Sequence, residues 1–352
     1  MNLSYWWWKI LGVLLFTYVL TRGLLTPLKP GIEDVSPNRA QAGKSLSLNI
    51  IGYNTNYTKG KNTVYIKNID SFYITSQAVQ VIDDQRLNAQ FSIPLFLPTK
   101  QSLSQFSIIV SSNFDGTSII PSKLILHQDS INQEQAQLLW LSSKPNFTII
   151  NKYHFPYRNI LYETIRNTFF HVSLWFAMFA LLAASVFNSI QFLRKNDLNY
   201  DFKANAQVRT GILFGILGLL TGSLWAKYTW GSWWTNDIKL NMAALSMLIY
   251  MSYLIIRAGI EDLDKRARIS ASYNVFALVA IIPLIFILPR LMDSLHPGNG
   301  GNPAFGSEDM DNALRLVFYP AVISFILLGF WIADLVFRIQ VLENKTEDPN
   351  NY

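Results

Sequence analysis

The sequence contains no cysteine. That excludes a disulfide framework, a thiolate metal site and any thiol–disulfide chemistry carried by this chain. Charge is scarce as well. Asp, Glu, Lys and Arg make up 15% of the 352 residues, against about 25% in a typical soluble domain. A glycine-rich phosphate loop is missing: Gly211, Gly215, Gly218 and Gly222 all lie inside an apolar run, where they suit close helix packing. There is no His-Glu-x-x-His, and no Ser–His–Asp set can be argued. The net charge of +6 does not point to nucleic acid, because the basic residues flank apolar runs and form no stripe.

What is abundant is hydrophobic and aromatic surface, at 50% and 14% of residues. The hydrophobic residues gather into six runs, at about 5–25, 165–193, 209–225, 240–257, 273–288 and 314–337, each near the ~20 residues that cross a bilayer as a helix. The first run lacks a small-residue cleavage site, because Arg22, Leu24 and Leu25 stand where one would fall; it reads as an uncleaved anchor. Pro283 and Pro320 lie within spans, where proline is tolerated and kinks the helix. Between the first and second runs the character changes. Short segments of alternating polarity, at 45–51, 63–67 and 106–110, are punctuated by Gly, Asn, Asp and Pro, as in a small β-sandwich. The expected fold is a mainly α membrane protein, a six-helix transmembrane bundle with an inserted periplasmic β-sandwich-like domain. Its parts are a first helix at 1–26, the β-rich domain at 27–151, five membrane helices at 152–342 and a disordered polar tail at 343–352.

Lys and Arg in short connections set orientation. Lys9, Arg194, Lys195, Lys203, Arg209, Arg257, Lys265, Arg266, Arg268 and Arg338 fall on one side if the runs alternate, and that side is the cytoplasm. The mixed-charge stretch 257–268 reads as a solvated helix extension. The β domain and the connections after the third and fifth runs then share the outer side, which in a bacterium is the periplasm. Of the four histidines, His127 and His154 fall in the β domain and its linker, where a surface role is the better reading. His171 and His296 fall at the outer ends of the second and fifth runs, at one level.

At that level lies a stretch from Trp225 to Lys239, Trp225-Ala-Lys-Tyr-Thr-Trp230-Gly-Ser-Trp233-Trp234-Thr-Asn236-Asp237-Ile-Lys239. Aromatic belts collect one or two tryptophans at an interface; four, with Gly231 between them and Asp237 behind, ask for another explanation. The stretch resembles the tryptophan-rich signature of haem-handling proteins of cytochrome c maturation, and most of all the haem exporter protein C (CcmC) type. One departure is that the family commonly has tryptophan before the aspartate, where this chain has Asn236. The resemblance covers about 164–342 and the first run, and not the β domain. Separately, Gly31-Ile-Glu-Asp-Val-Ser-Pro37, Gly43 and Leu46-Ser-Leu-Asn-Ile50 resemble the opening strands of an immunoglobulin-like IPT domain.

The resemblance implies a haem-binding site built from His171, His296, Trp225, Trp230, Gly231, Trp233, Trp234 and Asp237. His171-Val172 with Trp175, and Leu295-His296, match the contexts in which the family carries its haem axial ligands, which makes His171 and His296 the ligands to the iron of a haem b. Neutral imidazole suits iron, and aromatic faces bury the porphyrin's apolar surface. Asp237 reads as an orienting or helix-capping residue. Arg166, Lys227, Lys239, Arg290 and Arg315, basic residues on the outer side, are candidates for the haem propionates.

The function so implied is not enzymatic: a membrane protein that holds haem at the periplasmic face and hands it to a periplasmic haem chaperone of the CcmE type, assisted by an ABC-type release complex (CcmA/CcmB type). Thiol reduction would fall to another protein. The alternative is a haem lyase attaching haem to apocytochrome c, although such relatives tend to have more spans and more histidines. A b-type cytochrome would need histidine pairs on facing helices, and a small-molecule transporter would need ionisable groups at mid-depth; neither pattern is present.

Overall fold

An apolar run that enters a bilayer must satisfy every backbone N–H and C=O within itself, and a helix is the open-chain way to do so. A computed structural model describes residues 3–150, 152–296 and 310–347. Among them are six helical stretches long and apolar enough to cross a membrane. The chain divides into two compact units, residues 27–162 and the remainder.

The helical unit begins with α1 (Leu3–Leu25), which packs along the last helix, α8 (Asn312–Glu347). The two are tied at three depths. Ser324 donates to the Gly12 carbonyl at 2.9 Å, Tyr18 donates to the Leu316 carbonyl at 3.2 Å, and Lys9 pairs with Asp334 at 3.4 Å. Lys9 is buried among Trp6, Trp8 and Trp331, whose ring faces share its charge. Next come α3 (Thr168–Lys195) and α4 (Leu198–Trp230). The hairpin between them is short because Asn196 takes the left-handed conformation that ends α3, and the Asp197 side chain accepts from the Asn199 N–H to start α4. Then follow α5 (Ile238–Ala258) and α6 (Leu263–Ile282), the latter capped by Asp262. At Pro283 the missing N–H interrupts the α ladder. Residues Pro283–Ile287 form a π turn before a last short piece, α7 (Leu288–Leu291). The outward faces keep apolar side chains exposed, Phe276 and Leu220 among them, as lipid contact demands.

Two sequence expectations are corrected here. The tryptophan-rich stretch is not a loop from 225 to 240: Trp225 to Trp230 complete the last turns of α4, and only residues 231–237 are non-helical. The reason is local, since nothing before Gly231 breaks the helix. The polar tail is helical as far as Glu347, because α8 continues past its apolar span; residues 348–352 lie outside the described residues.

The other unit is β-rich. Its strands are β1 (Gly31–Ser36), β2 (Arg39–Gln41), β3 (Ser45–Tyr53), β4 (Asn62–Lys67), β5 (Tyr73–Thr75), β6 (Ala78–Val81), β7 (Arg86–Ser92), β8 (Leu103–Ser112) and β9 (Gly116–His127), followed by a short helix, α2 (Gln133–Leu139). They form two sheets, ordered β1-β3-β7-β6 and β2-β9-β8-β4-β5. All pairings are antiparallel except β2 with β9. Strict alternation in β3 buries Leu46, Leu48 and Ile50. These residues join Val64, Ile66, Phe106, Ile108 and Leu124 of the other sheet in one core. Trp140 closes it, stacked on Phe106 at 5.4 Å and donating through Nε1 to the Phe96 carbonyl.

Candidate functional site: two histidines in one cavity

His171 stands on the first turns of α3, against the glycine-lined face of α4. The close approach requires those glycines. A Cβ on Gly222 would lie 2.6 Å from His171 Cε1, and one on Gly218 would lie 3.0 Å from the Trp175 ring. With no side chain in the way, His171 Nδ1 comes within 3.0 Å of the Gly218 carbonyl oxygen. That oxygen can only accept, so Nδ1 carries the proton and Nε2 keeps its lone pair. Thr221 Oγ1 lies 3.2 Å from the same Nδ1. The ring is held edge-on between Trp175 (6.3 Å) and Trp225 (5.9 Å).

His296 is set by a different device. Asp237 ends the non-helical stretch after α4 and caps α5, accepting from the N–H groups of Lys239 at 2.9 Å and Leu240 at 3.4 Å. Its second oxygen accepts from Ser294 Oγ at 2.8 Å and from the Leu295 N–H at 2.7 Å. The carboxylate thus binds the segment after α7 to the start of α5. His296 Nδ1 lies 3.0 Å from Asp237 Oδ1, and Trp230 packs edge-on over the imidazole at 4.8 Å.

The electrostatics follow from burial and these contacts. Burial by itself pushes the Asp237 carboxyl up. The Ser294 hydroxyl, the Leu295 N–H and the neighbouring His296 outweigh it and hold the group below the usual carboxylate range. Burial also drives His296 below its ordinary value, with the Asp237 charge only partly opposing it. A lowered histidine pKa means that protonation waits for a pH below about 6.5. At neutral pH the ring is therefore uncharged, donates Nδ1–H to Asp237 and presents a free Nε2. A carboxylate behind a histidine in this way fixes its tautomer and raises its basicity toward a metal.

Both imidazoles line one cavity of about 190 Å3, together with Trp175, Gly222, Trp234 and Lys239. Trp234 donates through Nε1 to Asn241 Oδ1 at 3.2 Å, and Asn241 in turn donates to Asn236 Oδ1 at 2.8 Å. Asn236 therefore serves as a clamp on the stretch rather than as a stacking surface. Ser223 pins the Trp233 carbonyl at 2.8 Å, while the Trp233 ring is 56% exposed and lies outside the cavity. Gly231 sits at φ +79, the left-handed conformation that terminates α4.

Of the residues singled out in the sequence, the structure gathers His171, His296 and Trp234 into the cavity. Trp225, Trp230 and Asp237 stand directly behind the two rings. Lys239, a propionate candidate, lines the cavity too. Lys227 instead donates to the Gly231 carbonyl at 3.1 Å, and Arg166 to the Gly23 carbonyl at 2.7 Å. His127 and His154 belong to the β-rich unit, where His127 is exposed and His154 half-buried. Sequence reasoning gave Gly218 and Gly222 a packing role and placed Trp175 in the context of His171, but gave no role to Thr221, Ser294 or Asn241. The contacts of Ser294 and Asn241 need the tertiary fold.

Among the described residues there is no group of three or more His, Cys, Asp or Glu that could hold a metal ion. A bare zinc takes four ligands or three and a water. Two converging imidazoles in an aromatic, nearly uncharged cavity suit iron that brings its own equatorial nitrogens. The two imidazoles and their aromatic surround lie at one end of a bundle of six helices long and apolar enough to cross a membrane.

Comparison with known proteins agrees and is more specific. The family model for Heme exporter protein C matches residues 156–351, and the chain belongs to that family. The match leaves out α1 and most of the β-rich unit. Among relatives, Heme exporter protein C of Bradyrhizobium diazoefficiens is 27% identical over 187 residues, 52% of this chain and 68% of that protein. That of Escherichia coli K12 is 25% identical over 190 residues, 53% of this chain and 74% of that protein. Cytochrome c biogenesis protein CcsA of Prochlorococcus marinus is 41% identical over 88 residues, 24% of this chain and 25% of that protein.

Proposed function

We propose that this chain is a multi-pass membrane protein of cytochrome c maturation that holds haem b as cargo at the outer membrane face and hands it to a periplasmic haem chaperone. One observation carries the reading. His171 and His296 each commit Nδ1 to an acceptor, leave Nε2 free and line the same cavity. At about 190 Å3 that cavity is below the ~300–1,000 Å3 of drug-sized ligand sites, so a macrocycle would lie partly outside it. The half-exposed Trp234 and the exposed Trp233 are the apolar surfaces on offer there. An open-sided seat of this kind suits transient holding better than permanent burial.

Within this reading the residues divide the work. His171 and His296 supply nitrogen lone pairs to the iron. Burial keeps the second of them neutral, Asp237 fixes its tautomer and aims it, and Lys239 offers a cation for a propionate. The basic connections at the opposite bundle end support placing the cavity on the periplasmic side. The β-rich unit, two sheets over one core, is read as a sandwich on that same side, a docking module for a chaperone. Release would be assisted by an ABC-type exporter complex, and the chain itself would make and break no covalent bond. A second reading is a haem lyase subunit that attaches haem to apocytochrome c, and the similarity to a cytochrome c biogenesis protein is compatible with it.

The test is the visible absorption spectrum of the detergent-purified full chain beside His171→Ala and His296→Ala. A Soret band in the wild type that weakens or shifts in each variant is expected. A wild type that carries no haem and takes up no added hemin would sink the proposal. Haem uptake indifferent to both substitutions would remove the ligand assignment.

A further inference from the structure

The end of the helical unit away from the histidines holds a second cavity. It is larger, about 440 Å3, and of opposite chemistry. It lies between the N-terminal turns of α4 and α6 and the C-terminal turns of α5 and α8. Arg209, Arg257 and Arg266 line it, along with Gln340, and Phe202 and Leu254 supply apolar wall.

The three arginines are not equivalent. Arg257 is spent inside the protein: its two terminal nitrogens donate to both oxygens of the buried Asp201, at 2.7 and 2.8 Å. That pair neutralises itself and forms part of the wall. Arg266 has a buried Nε that reaches no acceptor. Arg209 is exposed on the rim, and Glu343, also exposed, is the one acid in the lining. The deciding residue is Gln340. It is 8% exposed, yet neither its Nε2 nor its Oε1 has a hydrogen-bond partner. A buried amide left unpaired costs about 1–3 kcal/mol, and such groups are normally satisfied by protein, water or a ligand. Swapping the amide's oxygen and nitrogen changes nothing, because both are unpaired.

We propose that this cavity is a binding site for a phosphate group, with Arg209 and Arg266 as its cationic donors and Gln340 as its buried amide. Guanidinium forks match phosphate oxygens. The Gln340 amide donates to a further oxygen, and its carbonyl accepts from a hydroxyl on the same ligand. Two sources offer that chemistry: the headgroup of an anionic phospholipid and a free phosphate. The apolar wall formed by Phe202 and Leu254, at the end of helices long enough to span a bilayer, suits the first, since basic pockets between membrane helices take anionic headgroups.

The experiment uses the full chain in a neutral detergent and follows thermal unfolding and native mass spectra. Phosphatidylglycerol and inorganic phosphate are added separately, with phosphatidylcholine as control. Stabilisation by phosphatidylglycerol and retention of one or two bound lipids are expected. Inorganic phosphate acting alone would support the site and assign it to a free anion. Arg209→Gln with Arg266→Gln should weaken binding about tenfold or more, as loss of charge-assisted contacts implies. Gln340→Leu should do the same without changing charge, which separates a built site from loose attraction. Because Arg209 is exposed, Arg209→Gln alone is a variant whose folding is not in question. The proposal is overturned if neither anion stabilises the wild type beyond the control, or if the double variant keeps the full effect. The readouts require no haem, so the outcome is independent of the outer-face cavity.

Discussion

At the scale of single residues, Asp237 has more dependants than any other side chain near the cavity. It caps α5, pins Ser294 and Leu295 and orients His296. Asp237→Asn keeps a capping oxygen but can no longer accept on both sides. Haem affinity should fall about 10- to 100-fold, the usual cost of losing a partner behind a metal-binding histidine. Hemin titration beside a melting curve checks this, and an unchanged affinity would remove Asp237 from the site. The sequence showed this residue as an orienting or capping member of the tryptophan-rich signature but not its contacts, because its partners at 294–296 lie almost 60 positions away and meet it only through the fold. His171 and His296 were legible for a simpler reason: among four histidines, only these two fall at span ends of the same parity.

At the scale of elements, the pairing of α3 with α4 builds half of the cavity, and it depends on the small residues of α4. Gly215 lies under Met247 and Met178, Gly218 under Trp175 and Gly222 under His171. Gly222→Ala would place a methyl 2.6 Å from the imidazole, closer than packed atoms allow. The ring must then leave the Gly218 carbonyl, since the helix backbone is the stiffer partner. The expected result is a Soret change like that of His171→Ala with helix content intact by circular dichroism; a wild-type spectrum would show that the ring adapts in place. Span count and glycine packing could be read from the sequence, whereas helix ends could not. Trp225 to Trp230 carry the aromatic signature of an interface connection, yet they are helical, because tryptophan is compatible with either state and the terminating signal is Gly231 alone. Likewise the polar residues 343–347 extend a helix whose anchoring lies in the membrane run before them.

At the scale of the whole molecule, the family match falls on only part of the chain. The family match starts at residue 156, and the β-rich unit spans residues 27–162. The ends of the helical unit that flank it lie close together: Arg166 donates to the Gly23 carbonyl at 2.7 Å, and a Cβ on Gly23 would meet the Phe169 ring at 3.1 Å. Replacing residues 27–162 with a short flexible linker should therefore leave a membrane-inserted protein that still takes up hemin, while delivery to a chaperone would drop. Loss of hemin uptake in a well-expressed excision variant would mean that the β-rich unit is part of the site. The two-sheet character of the unit was visible in period-2 segments such as 45–51. Its strand order was not, since sheet neighbours such as β3 and β7 are chosen by long-range pairing.

The two imidazoles differ in what anchors them. The acceptor of His171 is the main-chain oxygen of Gly218, which no codon specifies, whereas the acceptor of His296 is a carboxylate that a single base change can remove. One ring's orientation is thus inherited with the helix pair itself, and the other's is open to adjustment one mutation at a time. Substitution at position 237 can therefore retune one ring without disturbing the other.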